Sequence, residues 1–123
     1  MSKINEWTRE HVDYFESGCK GNTMVTWANK EVSVYLHANF IYKDNGDCEV
    51  FTLHGWNTNT TRSRLNAILT KGQIVQRDYM PYLVVDGKKY AIDVNKYYKL
   101  ANGKWFEGDS NSYFFDRDWS PLV

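Results

Sequence analysis

Apolar and polar residues alternate in short runs along most of this chain, and turn-forming residues separate the runs. Alternation with a period of two predicts β-strands that bury one face. Such runs rich in β-branched and aromatic residues lie at Thr23–Trp27, Val32–His37, Phe40–Lys43, Glu49–His54, Gln73–Arg77, Tyr82–Val85, Lys89–Val94, Asn95–Leu100 and Lys104–Phe106. The dipeptides Asn45-Gly46, Asp86-Gly87 and Asn102-Gly103 predict tight hairpin turns, because they accept a positive φ.

Two segments have the period of an amphipathic helix instead. The main one runs from about Thr61 to Lys71, where Leu65, Ile68 and Leu69 form an apolar stripe and Gly72 ends the helix. A shorter one is predicted from Thr8 to Ser17. The aromatic and acidic segment from Ser112 to Val123 contains Pro121, which argues against a closing helix.

These elements predict an α+β fold, a single small domain over residues 1–123. Its antiparallel sheet would hold one central helix and a short N-terminal helix. Division into two domains would leave each half too small to bury a stable core. The aromatic side chains, five Trp, nine Tyr and six Phe, supply large flat surfaces for such a core.

Charge is balanced over the whole chain but not along it. The formal net charge is zero, with 15 basic and 15 acidic residues, so the basic excess of a protein that coats nucleic acid is missing. Thr60–Arg77 contains basic residues and no acidic one, whereas Trp105–Asp118 is mainly acidic. Two interpretations follow: the basic segment is a binding site, or the two segments meet and neutralise each other.

Targeting and membrane signals are absent from the sequence. No apolar run approaches about 18 residues, and the first residues lack the order of a signal peptide. We therefore expect a soluble protein of the cytoplasm that does not interact with membranes. In that compartment Cys19 and Cys48 are expected to be free thiols.

Motifs of the common catalytic and metal-binding classes are also absent. The chain has no H-E-x-x-H, C-x-x-C, Walker A, G-x-S-x-G or G-x-G-x-x-G pattern, so no catalytic residue, metal ligand or cofactor is predicted. Catalysis remains open but has no support. His37 and His54 both end predicted strands and can meet in space, although a histidine that is satisfied within the fold or faces solvent is the more common case.

The turn into the main helix carries the clearest chemistry. The expected ligand-binding residues are Trp56, Asn57, Asn59, Thr60, Thr61, Arg62 and Arg64. A helix N-terminus with free N–H groups and arginines suits phosphate or carboxylate, and Trp56 offers a face on which a base can stack. At ~100° per residue the two arginines flank Leu65 on opposite sides, so both are expected to reach solvent. Cations oppose the dipole there, so a compensating anion is expected, either a ligand or the acidic C-terminal segment.

The runs Leu36–Ile41 and Gly55–Ala67 resemble a segment of small tailed-bacteriophage proteins, with the patterns L-H-G-x-x-I-A and G-W-x-T-x-T-T-x-x-R-L-N-A. The resemblance extends from Val34 to Leu69, and Ala38 stands where that family often has glycine. It implies a phage origin and a role in the host cytoplasm.

Three functions remain after this resemblance. The first is an accessory protein that binds nucleic acid or a nucleotide through the turn before the main helix. The second is a protein–protein inhibitor of host defence or host machinery, which docks through Tyr97-Tyr98 and Tyr113–Trp119. The third and least supported is a small enzyme. Partner and oligomeric state are not encoded in any pattern of the sequence.

Overall fold

The computed structural model describes residues 23–28 and 31–122, and most of its strands and helices follow the local patterns above. The predicted helix from Thr8 to Ser17 and residue Cys19 lie outside the described residues. In chain order the elements are β1 (Thr23–Ala28), β2 (Glu31–Leu36), β3 (Asn39–Asp44), β4 (Cys48–Thr52), α1 (Asn59–Ile68), β5 (Gln73–Arg77), β6 (Met80–Val85), β7 (Lys88–Ala91), β8 (Tyr97–Ala101), β9 (Lys104–Gly108), α2 (Ser110–Phe115) and β10 (Ser120–Pro121).

The strands form two antiparallel sheets. Seven of them make the main sheet in the order β1-β2-β3-β4-β8-β9-β10, and β5-β6-β7 make a small second sheet. Strand β4 pairs directly with β8. The chain therefore leaves the main sheet after β4, builds helix α1 and the whole second sheet, and returns to the same edge.

One hydrophobic cluster joins the two sheets through helix α1. Alternate residues of β2, Val32 and Val34, are completely buried, as period-two patterning requires. They share the cluster with Leu65 of α1 and with Ile74 and Leu83 of the second sheet. The predicted apolar stripe of the helix is confirmed as buried, with Leu65, Ile68 and Leu69 all in this cluster. The second sheet thus depends on the same core as the first.

The predicted α+β class with one central helix is wrong. The structure is 50% strand and 17% helix, and the residues it describes contain two short helices. Helix α1 begins before Thr61 because the Thr58 side chain already accepts a bond from the N–H of Thr61. It ends before Lys71 because Thr70 donates its N–H and its hydroxyl to Glu49 of the main sheet instead of continuing the helix.

Helix α2 corrects the expectation that no helix forms in the acidic C-terminal segment. Asp109 is its N-cap and forms a reciprocal capping box with Ser112. Pro121 does not prevent this helix, since it lies farther along in β10, an edge strand paired only with β9. Asp109 and Ser112 are residues typical of a capping box, whereas the expectation that no helix forms here was based on Pro121 alone.

Two of the three predicted Asx-Gly turns have the expected conformation, whereas in the third, between β3 and β4, Gly46 has a positive φ of 96° and Asn45 does not. Asp86 and Gly87 have φ values of 51° and 79°, and Asn102 and Gly103 have 54° and 76°. Such paired positive values are those of a type I′ turn, whose twist matches that of the flanking strands. The strand ends at both hairpins are therefore set by local sequence.

A buried polar cluster lies between the main sheet and the end of α1. Glu49 is 1% exposed, and its carboxylate accepts hydrogen bonds from the Tyr42 hydroxyl and from the N–H and hydroxyl of Thr70. Burial raises the pKa of Glu49, because the charged form loses solvation. Burial, and then the charge of Glu49, also raise the pKa of Tyr42 far above its ordinary value. The cluster fixes where the helix ends relative to β3 and β4.

Truncation of Leu65 tests the shared core. Because Leu65 is fully buried in the cluster, Leu65→Ala should lower the free energy of unfolding by about 2–5 kcal/mol. Ser63→Ala, an exposed change on the same helix, should stay within about 0.5 kcal/mol. Urea denaturation measures both, and a loss below about 1 kcal/mol for Leu65→Ala contradicts a core role.

The buried position of Glu49 predicts that replacing its carboxylate by a neutral amide stabilises the protein by an amount that depends on pH. The pKa of Glu49 is raised on folding. The stabilisation from the protonated Glu49 side chain is therefore fully present below the pKa of the unfolded chain, about 4.3, and is lost as pH rises through the pKa of the folded protein. Glu49→Gln should therefore match the wild type near pH 4 and become the more stable protein towards pH 8. Each pH unit between the two pKa values adds about 1.4 kcal/mol.

Melting temperatures at several pH values measure this difference. Asp47→Asn is the control, because Asp47 is exposed in the same hairpin. An advantage of Glu49→Gln that is constant with pH, or one shared by the control, contradicts the assignment.

Candidate functional site

The turn from β4 into α1 exposes the first residues of the predicted site. Backbone bonds from Gly55 N to Val94 O (2.7 Å) and from Trp56 N to Leu53 O (2.9 Å) fix this turn against the rest of the chain. Trp56 extends outward and is 61% exposed. Thr58 then caps the helix, whose N-terminal end carries partial positive charge.

Arg62 does not reach solvent as the helical angle predicted. Its side chain is 8% exposed, and its guanidinium donates to the Asn57 side-chain oxygen, to Gln76 Oε1 at 3.1 Å and to Asn59 Oδ1 at 2.5 Å. Asn57 also donates to Gln76 Oε1 at 3.1 Å. Arg62 lies close to the buried Leu65 face of the helix, where β5 covers the Arg62 side chain. We call Asn57, Asn59, Arg62 and Gln76 the Arg62 clamp.

The partners of Arg62 are neutral amides, and no carboxylate among the described residues forms an ion pair with Arg62 or Arg64. Arg64 donates instead to Thr23 Oγ1 of β1 at 3.2 Å.

The acidic C-terminal segment finds its cations elsewhere, in the pairs Lys96–Glu107, Lys99–Asp116 and Arg117–Asp118. Lys99 accordingly lowers the pKa of Asp116. The proposed neutralisation of the arginines by this segment is therefore not seen in the part of the chain that the structure describes.

A cavity of about 430 Å³ opens beside the clamp. Three predicted site residues, Trp56, Thr60 and Thr61, contribute to its wall. His37 from the β2–β3 turn and His54 from the β4–α1 turn line it too, so the two histidines do meet at one site. The described lining residues include apolar and polar side chains but no carboxylate. A ligand with an apolar body and an anionic or polar group fits this lining.

On the other flank of the clamp lies the turn between β5 and β6. Asn57 donates to the Tyr79 carbonyl oxygen at 3.3 Å, which fixes the turn to the clamp. Tyr79 is 88% exposed, although its φ of 67° lies in the left-handed region that favours glycine. Two exposed aromatic residues, Trp56 and Tyr79, therefore belong to the two turns that the side chain of Asn57 connects.

The predicted site residues thus separate into three groups. Trp56, Thr60 and Thr61 line the cavity, while Asn57, Asn59 and Arg62 form the clamp. Arg64 points towards β1 and belongs to neither group.

Sequence reasoning missed Gln76 and Tyr79, because a turn of Asp78 and Tyr79 carries no Asx-Gly signal. It did identify His37 and His54 as residues that can meet.

Three further findings concern the described residues. Among them, no group of three or more His, Cys, Asp or Glu side chains is placed to hold a metal ion. Cys48 is a free cysteine. No helix within that part of the chain has both the length and the apolar character needed to cross a membrane.

Comparison with known proteins identifies the family. A family model described as Kyanoviridae Gp96 protein matches residues 1–113, so the chain belongs to this family of phage proteins. The phage origin implied by the resemblance is thereby confirmed. No curated protein and no solved structure matches the chain.

The two arginines should differ sharply when each is replaced. Arg62→Gln removes the donor that satisfies three side-chain oxygens in a largely buried setting, so we expect a loss of about 1–3 kcal/mol in unfolding free energy. Arg64→Gln removes one hydrogen bond to a hydroxyl and should cost about 1 kcal/mol or less. Urea denaturation of both variants measures the difference. Equal costs, or a gain for Arg62→Gln from relief of the helix dipole, contradict the clamp.

Proposed function

We propose that this phage protein is an accessory protein of the host cytoplasm that binds a nucleotide or a short single-stranded nucleic acid across the Arg62 clamp. One observation supports this most directly. A buried arginine at the N-terminal end of a helix has only neutral amide partners among the described residues. The proposal concerns binding and includes no reaction.

The electrostatics of the clamp favour an anion. The N-terminal end of α1 carries roughly half a positive charge, and the guanidinium of Arg62 adds a full one. Three hydrogen bonds use three of the five guanidinium N–H donors, and the other two have no partner among the described residues. A phosphate near the clamp would relieve the repulsion and accept hydrogen bonds from these two N–H groups.

The flanking rings favour nucleobases as the rest of the ligand. Trp56 and Tyr79 are 61% and 88% exposed, so neither ring is buried in the core. Stacking of a base on an aromatic side chain contributes about 1–3 kcal/mol and tolerates any sequence. The adjoining cavity of about 430 Å³ lies in the size range of small-ligand sites. A nucleotide or a few linked nucleotides combines the bases and the phosphate that these exposed rings and the buried cation would bind.

A second candidate, binding of a host protein, is supported by a different surface. Of the predicted docking residues, Tyr98 is buried and Tyr97 stacks on Tyr113 with ring centroids 5.0 Å apart. The exposed aromatic area is instead Phe114 and Phe115 of α2, at 71% and 65%. Exposed aromatic rings are typical of the centres of protein interfaces. Neither Phe114 nor Phe115 belongs to the Arg62 clamp.

Binding of fluorescein-labelled oligothymidylate, measured by anisotropy with ATP as competitor, tests the first candidate. Trp56→Ala and Tyr79→Ala should each lower affinity roughly fivefold to 100-fold without loss of thermal stability, because both rings are exposed. Affinity should also fall steeply between about 50 and 200 mM salt, as phosphate contacts require.

Phe114→Ala is the matched control, since Phe114 is an equally exposed aromatic residue on α2. It should leave oligonucleotide affinity unchanged. If the oligonucleotide and ATP both fail to bind at low salt, or if all three variants bind like the wild type, the nucleic-acid proposal is wrong. Loss of host-protein binding in Phe114→Ala alone would then favour the second candidate.

A further inference from the structure

A second and larger cavity, of about 560 Å³, lies where the two sheets meet, and we call it the inter-sheet cleft. One wall comes from the β6–β7 hairpin and the other from β9, β10 and the turn before β9. None of its lining residues belongs to the Arg62 clamp or to the cavity beside it. The cleft is therefore a separate feature of the molecule.

The cleft combines an apolar interior with a basic rim. Its apolar lining residues are Val85, Tyr90, Trp105, Phe106, Pro121 and Leu122. Three lysines, Lys71, Lys88 and Lys104, lie around it, and Asp86 is the only acidic residue among the described lining residues. Lys71 pairs with that carboxylate at 3.6 Å, whereas Lys88 and Lys104 are exposed and form no ion pair with a described residue. The rim thus retains an excess of positive charge.

Trp105 adds an unused donor to the apolar wall. Its side chain is 4% exposed, and its indole Nε1 has no hydrogen-bond partner among the described residues. The ring is held edge-on against Phe51, with centroids 5.4 Å apart. Folded proteins rarely leave a buried N–H without an acceptor. An acceptor supplied by a bound molecule would complete this wall.

We propose that the inter-sheet cleft binds a small organic anion with an apolar body, of the aryl- or alkyl-carboxylate class. The lysine rim matches the carboxylate, and the rings and aliphatic side chains match the body. Trp105 lines the cleft, and its indole N–H, which has no partner among the described residues, is the donor that we assign to the anionic oxygen. A concave, mainly apolar cavity of this size with few polar groups is typical of small-molecule sites and unlike the polar groove that follows a nucleic-acid backbone.

A pair of ligands that differ only in charge tests the anion requirement. The full chain, labelled with ¹⁵N, is titrated with 4-phenylbutyrate and with the neutral 4-phenylbutyramide, and calorimetry gives the affinities. The carboxylate should bind at least fivefold more tightly and should shift the indole N–H resonance of Trp105, which Trp105→Phe identifies. Equal binding of the two ligands, no binding of either, or an unmoved indole resonance overturns the proposal.

Two lysine variants test the rim. The double variant Lys88→Ser, Lys104→Ser should lose at least fivefold in affinity for 4-phenylbutyrate, whereas Lys89→Ser should not. Lys89 is the matched control, because it neighbours Lys88 in β7 but lies over the Tyr82 ring and does not line the cleft. Trp56→Ala should leave this affinity unchanged, which separates the cleft from the nucleic-acid proposal. Wild-type affinity in the double variant overturns the role of the lysines.

Discussion

Helix α1 holds the two sheets together, and the other features of the molecule depend on how it is fixed. Leu65 and Ile68 bury its inner face in the common core. Asn66 donates to the carbonyl oxygen of Ile74 at 2.9 Å and accepts from its N–H at 2.7 Å, which joins β5 to the helix as a neighbouring strand would. This attachment brings Gln76 over Arg62 and so builds the clamp.

At each end of helix α1 lies a charged side chain whose sign the helix dipole disfavours. Arg62 places a cation at the positive N-terminal end, and Glu49 places a carboxylate beside Thr70, just beyond the negative C-terminal end. Each is tolerated because hydrogen bonds surround it, and each has a separate means of relief. Glu49 is relieved by taking up a proton, consistent with its raised pKa, whereas the proposed function assigns the relief of Arg62 to an anion from outside the described residues. Under that proposal a structural charge and a binding charge arise from one arrangement.

Local pattern predicted the strands, the Asx-Gly hairpins and the buried stripe of α1, because period and turn chemistry act within a few residues. It did not predict the fold class, since the pairing of β4 with β8 and the separate second sheet are decided by contacts distant in sequence. The same reason explains the misplaced Arg62: its partner Gln76 lies on β5, outside any helical angle. For the candidate site, the sequence pointed only to residues contiguous along the chain, from Trp56 to Arg64, and it missed Gln76 and Tyr79, which lie beyond the helix.

At the turn that carries Tyr79, the residue that would be most stable differs from the residue that is present. A non-glycine residue in the left-handed region costs about 1 kcal/mol, and Tyr79 recovers none of it in the core because its ring is 88% exposed. Glycine at this position would give a more stable protein with one exposed ring fewer. Under the proposed function, the β5–β6 turn is a point of trade-off between stability and binding, at which selection for stability alone would remove the tyrosine.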